Sequence, residues 1–284
     1  MSTAEPEQVR AEMRERWEQA ASGWERRAER VGDWAMPVSA WLIDELRLQP
    51  GQRVLELAAG IGDTGFMAAE LIRPGGTLIC SDGAEAMLEA ARRRAAKLGI
   101  DNVEFRRLEL EWIDLEAASV DSVICRWGLM LLLDPAAAAR EMRRVLRPGG
   151  RVAVAVWDVA ERNPWATLGQ RAMMELGHLA PPDADAPGMF ALAGEGRLRS
   201  LLEEAGFVDP YLQSVALPHE FASVEAYAAE MAELSSIFRG PWEALDEAGR
   251  EQVVHTARRL GEPWTGPDGR LRLDGQALVA AADA

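Results

Sequence analysis

The chain has 284 residues, 48% hydrophobic and 27% charged, with a formal net charge of −15. That length suffices for one α/β domain with an insertion and a large core. The acidic balance excludes a phosphate-backbone partner, which Lys and Arg would have to neutralise, and no apolar run approaches the ~18 residues of a membrane span. With a polar, charged N-terminus, a cytoplasmic protein without a leader segment is expected.

Residues 5–30 read as a charged amphipathic helix, with Trp17 and Trp24 seven residues apart and Trp34 and Trp41 repeating that spacing. Arg53–Leu57 is a first strand, followed by a glycine-rich turn and a helix that closes at residues 68–71. Arg73-Pro74-Gly75-Gly76 turns the chain into a second strand, residues 77–80, which runs into Ser81-Asp82-Gly83. The next helix carries Met87, Leu88, Ala91 and Leu98 on its apolar face and stops at Gly99. Strand three is Val103–Arg107 and strand four is residues 122–125. Asp134-Pro135 is an N-cap and first-turn pair for a helix over 136–146. Arg147-Pro148-Gly149-Gly150 then leads into strand five, residues 152–157. Strands alternating with helices in this way imply a doubly wound parallel sheet, with its ligand at the carboxyl ends of the strands.

The turn carries the chemistry. Gly60, Gly62 and Gly65 satisfy G-x-G-x-x-G, a weak nucleotide signal by itself, but Glu56 sits inside the strand four residues earlier. A turn built for a pyrophosphate offers bare N–H groups, and an acid at its mouth would repel the phosphates. A cofactor with an adenosine body and a cationic reacting end suits that acid, which points to S-adenosylmethionine. Glu56 is expected near the cationic end, with capping of the turn's own N–H groups as its structural alternative. Asp82 is placed to accept from both ribose hydroxyls, or to cap the following helix. Gly60 and Gly62 allow close approach of the backbone.

On residues 54–65, on Ser81-Asp82-Gly83-Ala84-Glu85-Ala86-Met87, on residues 103–121 and on Val145-Leu146-Arg147-Pro148-Gly149-Gly150, the chain resembles the class I S-adenosylmethionine-dependent methyltransferases. Within them it is similar to the ubiquinone/menaquinone C-methyltransferase branch. The resemblance spans residues 38–157 and is looser on both flanks. It implies a seven-stranded sheet of order 3-2-1-4-5-7-6 with the last strand antiparallel. It also implies a cofactor site of Glu56, Ala58, Gly60, Gly62, Asp82, Gly83, Met87, Glu109, Leu110 and Arg126. Glu109 matches the acid facing the adenine amino group, although Leu108 stands where the family has Gly. The Leu110 N–H matches the donor to the ring. Met87 packs on the adenine or simply fills core. Arg126 offers its carbonyl to the cofactor's amine, and its side chain has Glu56, Asp134 or the acceptor as candidate partners.

Three segments follow from this reading: a helical lid over 1–35, the cofactor-binding core over 36–157, and an insertion with the closing strands over 158–284. In the last of these, residues 158–196 carry substrate-binding elements by resemblance, and a helix over 197–205 precedes strand six, residues 207–217. Residues 223–260 are a helical insertion broken at Gly240-Pro241, and residues 277–282 form strand seven. The lid and the segment 158–194 are expected over the carboxyl ends of the strands. Ten tryptophans against two tyrosines suggest an aromatic-lined pocket, for which Trp24, Trp127, Asn163 and Trp165 are the candidates. For each Trp the competing role is core filling. His178 is the sole imidazole in the substrate segment, hence the one candidate base, with a solvated helix histidine as the alternative. Lys97 is the only lysine, which leaves little scope for Schiff-base chemistry, and Cys80 and Cys125 read as small buried hydrophobes. No metal is called for.

The reaction implied is in-line methyl transfer to a small aromatic or apolar molecule. Two other readings stay open: a protein that binds the cofactor without transferring methyl, and a nicotinamide-dependent reductase. The sequence names neither the acceptor nor the atom methylated, and it leaves a homodimer open.

Overall fold

Two helices open the chain in the computed structural model, which describes residues 6–181 and 187–284. They are α1 (Pro6–Arg26) and α2 (Ala28–Leu46). The single helix expected over 5–30 ends at Arg26, because Arg27 leaves helical geometry (φ −100°, ψ 12°). The chain then restarts as α2, which buries Val31, Ala35, Val38, Leu42 and Leu46 at helical spacing. The boundary expected at residue 35 therefore falls inside a helix.

The parallel part of the sheet is β1 (Arg53–Leu57), β2 (Thr77–Asp82), β3 (Val103–Arg107), β4 (Val120–Arg126) and β5 (Leu146–Trp157). Helices α3 (Asp63–Leu71), α4 (Glu85–Leu98) and α5 (Pro135–Val145) connect them. The central strands are apolar on both faces, as a sheet covered on both sides requires. Leu55 of β1 lies opposite Ile79 of β2 and Val123 of β4, and these strands run parallel. Asp134 caps α5 as expected, accepting from Ala137 N at 2.8 Å. Strand β5 begins earlier than its expected start at 152, because Leu146 already pairs with Val120. The next pair is Ser122 with Arg151, so Arg147-Pro148-Gly149-Gly150 loops out of the ladder as a bulge.

The described chain divides into two compact units. The first contains everything up to Asp158, residues 187–215 and residues 277–284. The second contains residues from Val159 to the end of the described segment at 181, and residues 216–276.

The second unit holds α6 (Pro164–Glu175) and, after α7 (Glu195–Glu204) and β6 (Val208–Ala216), the run β7 (His219–Phe221), α8 (Val224–Leu234), α9 (Ser236–Ala244), α10 (Glu247–Leu260) and β8 (Leu271–Leu273). Its core clusters Leu168, Met173, Phe221, Tyr227, Met231 and Phe238. The helical insertion does not break at Gly240-Pro241, which lies inside α9. It breaks where side chains cap new helices: Ser235 accepts from Phe238 N and Asp246 from Gly249 N. The short antiparallel pair β7–β8 was not anticipated.

The last strand is β9 (Gln276–Asp283), antiparallel to β5, and the sheet order is β3-β2-β1-β4-β5-β9-β6. With β7 and β8 set aside as their own small sheet, this is the expected order 3-2-1-4-5-7-6. Among the described residues no helix is long and apolar enough to cross a membrane.

Candidate cofactor site

The carboxyl ends of β1, β2 and β4 lie side by side in the first unit, and the chain leaves β1 and β4 through left-handed conformations. Gly60 and Gly62 have φ of +54° and +87°, which L side chains rarely adopt. Ala58, just past β1, has φ +50°, and Trp127, just past β4, has φ +61°. Left-handed geometry at a bulky non-glycine residue is rare and concentrates at functional sites. Gly128 follows Trp127 at a point where a Cβ would sit 2.5 Å from Ala58 Cβ, so the two tips press against each other.

Over these tips opens a cavity of about 1080 Å³ including its mouth, at the upper end of the usual small-molecule range. Ala58, Gly60 and Ile61 form its floor, with Asp82, Gly83, Ala84 and Met87 on the β2 side. Glu109, Leu110 and Glu111 contribute from beyond β3, and Asp63, Arg126, Trp127 and Leu131–133 from the β4 side. The remaining wall is α1, through Arg10, Met13, Arg14, Trp17 and Trp24. These recur at intervals of three, four and seven residues, so they share one helix face. The Trp17–Trp24 spacing marked that face in the sequence, but Arg10, Met13 and Arg14 on it were missed.

Helix α1 is held at both sides of the cavity. Glu18 caps α4, accepting from the N–H groups of Glu85 and Ala86 at 2.8 Å each. Glu25 and Arg93 form a two-point ion pair at 2.8 and 2.7 Å. On the other side Arg14 bonds Glu109 at 2.7 Å and Arg10 bonds Glu111 at 2.5 Å. Trp17 and Trp24 meet edge to face and pack with Ile61, Ala84 and Met87. Met87 therefore fills core and lines the cavity at once.

The two acids singled out first have different surroundings. Asp82 lines the cavity, and its oxygens accept from Gly60 N at 2.8 Å and Ala84 N at 2.9 Å. Both the turn and the start of α4 are thus tied to one carboxylate, whose oxygens retain further lone pairs. Burial raises its pKa to about 6, against the opposing effect of those N–H groups. Glu56 is 3% exposed and lies beneath the turn, away from the lining. It accepts from Gly65 N at 2.8 Å, and Oε2 has no hydrogen-bond partner among the described residues. Burial pushes its pKa up to about 8, with Arg126 opposing. The expected contact between Glu56 and the cofactor's cationic end is corrected by this geometry: the carboxyl props the turn, because Gly65 has no Cβ to displace it.

The acid that does reach the cavity on this side is Asp63, which the sequence reading overlooked. It pairs with Arg94 at 2.6 Å and with Arg126 at 3.2 Å, while Arg126 also donates to Ser39 Oγ at 2.8 Å. Arg126 is thus committed to Asp63, neither to Glu56 nor to Asp134. Its guanidinium lies 4.9 Å from the Trp127 ring. Trp127 stacks on Trp157 at 4.5 Å with planes 6° apart, and Trp34 joins both.

Three other candidates belong to the second unit and line no part of this cavity. Asn163 is fully buried; it donates to the carbonyls of Val159 and Gln276 and accepts from Gln276 N and Trp165 Nε1. Its polarity holds chain segments together. Trp165 stacks on His219 at 4.4 Å. His178 is exposed after the end of α6, its N–H bonded to the Met173 carbonyl. Part of the Pro- and Asp-rich loop expected over the site, residues 182–186, lies outside the described residues. Gly62 caps α3 behind the floor. Cys80 and Cys125 are fully buried free thiols, as expected.

A doubly wound sheet with a glycine turn, a strand-tip carboxylate and an apolar aromatic wall defines a protein that binds a nucleoside-type cofactor. A family described as "Methyltransferase domain" matches residues 48–206, and the chain belongs to it. It is an S-adenosylmethionine-dependent methyltransferase. It is 28% identical over 177 residues to a ubiquinone/menaquinone biosynthesis C-methyltransferase from Cellvibrio japonicus, covering 59% of this chain and 71% of that one. It is 32% identical over 160 residues to an arsenite methyltransferase from Halobacterium salinarum, covering 56% of this chain but 38% of the relative. Its fold is similar to the YcgJ protein of Bacillus subtilis, with TM-score 0.60, 18% identity and coverage of 86% and 97%. It is also similar to a Bacillus halodurans protein described as a methyltransferase, with TM-score 0.56, 18% identity and the same coverage.

The residues present fit S-adenosylmethionine. Asp82 retains acceptor capacity for a diol, Gly60 and Gly83 leave the floor bare, and Met87 and Leu110 offer apolar contact.

Proposed function

We propose that this methyltransferase acts on a small, flat, largely apolar acceptor. The observation that carries the reading is the composition of the cavity wall. Besides the polar groups at the strand tips and the ion pairs Arg10–Glu111 and Arg14–Glu109, the wall is made apolar by Met13, Trp17, Trp24, Trp127 and Leu131–133. The similarity to enzymes of quinone biosynthesis supports an aromatic acceptor.

Asp82 would hold the ribose hydroxyls, and Glu109 and Leu110 would read the adenine edge. Met87 and Trp17 would cover the nucleoside. When bound, S-adenosylmethionine supplies a methyl group on a cationic sulfur, which becomes neutral as the methyl leaves. The chain's own part is to align and desolvate; orientation of this kind supplies up to ~7–11 kcal/mol. Among the described residues the cavity wall carries carboxylates and no imidazole.

Titration calorimetry with S-adenosylmethionine, S-adenosylhomocysteine and NADH tests the cofactor assignment. The expected result is micromolar binding of the first two and none of the third. Asp82→Ala should weaken binding by ~1.5–3 kcal/mol per charge-assisted bond lost. A variant that binds normally while melting earlier would show that Asp82 serves only the turn and α4. The acceptor reading is tested by following S-adenosylhomocysteine release with hydroxynaphthoquinols, catechols and short amines. Turnover with amines alone would overturn it.

A further inference from the structure

Two carboxylates beyond β3, Glu109 and Glu111, line the cavity, and helix α1 holds both, but in different ways. Glu111 has both oxygens engaged: Arg10 donates to Oε2 and Oε1, and Oε1 also accepts from Asp134 N at 2.7 Å. The core therefore fixes Glu111 without α1. Glu109 has one side-chain partner among the described residues, Arg14 of α1, whose Nη1 donates to Oε1 at 2.7 Å. Its second oxygen accepts no bond from them. That oxygen lies over the β2 side of the cavity, where a Cβ added to Gly83 would sit 3.5 Å from Oε2.

Left to itself, this carboxylate would not stay there. The Glu109 side chain is 51% exposed, and a glutamate loses considerable rotamer freedom when it is held in one place. Asp82, on the same wall, carries like charge and is close enough for Glu109 to raise its pKa. Both effects favour a carboxylate turned out to water. An ion pair as exposed as Arg14–Glu109 adds little to stability. What it adds is direction: one oxygen is tied to α1 while the other is left as an acceptor at the cavity wall.

We propose that Arg14 is a positioning residue for recognition of the cofactor's base, holding Glu109 so that Oε2 accepts from the 6-amino group of adenine. The inference rests on the assignment of Glu109 to the adenine edge made above. An ionised carboxylate is an acceptor only, so it rewards a base that carries an amino group and gains nothing from one that lacks it. Helix α1 thereby contributes to base selection as well as to covering the site.

The test uses Arg14→Met and Arg14→Gln, which keep a good helix former at a partly exposed position and delete the charge. Each is titrated with S-adenosylhomocysteine and with its 6-deamino analogue, which has purine in place of adenine and keeps the ring nitrogen that faces the Leu110 N–H. Thermal melting confirms that each variant is folded. Glu25→Gln is the control, because it loosens the two-point pair of α1 with Arg93 from a position that does not line the cavity. The wild type should prefer the amino-bearing ligand by about tenfold or more. Both Arg14 variants should bring that ratio close to one, while Glu25→Gln keeps it even where its affinity for both ligands falls. A wild-type ratio in the Arg14 variants, or an equal collapse of the ratio in Glu25→Gln, would overturn the inference. A ratio near one in the wild type would overturn the assignment of Glu109 to adenine, and the inference with it. Failure of the wild type to bind either ligand would overturn the cofactor assignment itself.

Discussion

Selected buried polar groups of the two units differ in how they are satisfied. In the second, Asn163 makes bonds with both its amide nitrogen and its oxygen, and the Tyr227 hydroxyl accepts from Gly169 N at 2.8 Å. These groups fix the packing of helices and strands. In the first unit Glu56 Oε2 beneath the β1 turn, and Trp24 Nε1 and Trp127 Nε1 on α1 and after β4, have no hydrogen-bond partner among the described residues, with two non-glycine residues nearby in left-handed geometry. Unsatisfied buried atoms also occur elsewhere in that unit, at Asn102 Oδ1 and Ser119 Oγ, so it is their coincidence with left-handed backbone at Ala58 and Trp127 that sets the strand tips apart.

The largest effect should come from breaking the scaffold. Tyr227 is fully buried and meets Phe221 edge to face. Tyr227→Ala should lower stability by about 3–5 kcal/mol, read as a shift in the denaturant midpoint. The folded variant should bind S-adenosylhomocysteine as the wild type does. Loss of binding in the folded variant would erase the distinction drawn between the units.

Gly65→Ala comes next and acts at the site. A Cβ there would overlap Glu56 Oε2, so the carboxyl must leave the Gly65 N–H and the turn loses its prop. Overpacking of this kind costs about 1–3 kcal/mol, and cofactor affinity should fall at least about tenfold with it. Equal losses of stability and unaltered affinity would show that the turn's shape survives without Glu56.

The parallel sheet, its order and the glycine turn were legible because each leaves a local pattern: apolar strands, helix stops and positive-φ glycines. The partners of charged residues were not. Asp63 binds Arg94 and Arg126 across 31 and 63 positions of sequence, and no local pattern encodes that choice. Asn163, Trp165 and His178 were assigned to the substrate by residue type and segment. Their types fit a site, while the structure gives Asn163 its bonds to Val159, Trp165 and Gln276 and stacks Trp165 on His219, all within the second unit. The face of α1 was half legible: Trp17 and Trp24 announced it, while Arg10 and Arg14 looked like ordinary solvated charges in a charged helix.

A smaller effect concerns pH. Burial raises Glu56 from 4.5 to about 8 and Asp82 from 3.8 to about 6 in the folded chain. Between the unfolded and folded values, the folded state holds more protons, so stability falls as pH rises through each window. The Asp82 contribution is half spent at pH 6 and nearly complete at pH 7, which leaves the slope between pH 7 and 8 to Glu56. Melting temperatures of the ligand-free protein should therefore decline from pH 7 to 8, and Glu56→Gln should flatten that decline. A decline of equal steepness in the variant would assign it to other groups.

The smallest effect tests the strain itself. Ala58 holds φ +50°, a conformation that costs an L-residue roughly 1–2 kcal/mol relative to glycine. Its side chain is a single methyl facing the tip at Gly128, so Ala58→Gly removes little packing while relieving the backbone. The glycine's greater freedom in the unfolded chain offsets about 0.4–1 kcal/mol of that gain. The net expectation is a melting temperature equal to or slightly above the wild type, with S-adenosylhomocysteine affinity within about twofold. A variant that melts higher but binds much more weakly would show that the methyl group, pressed against the Trp127–Gly128 tip, aims the cavity floor at its ligand. The strain at β1 would then serve binding.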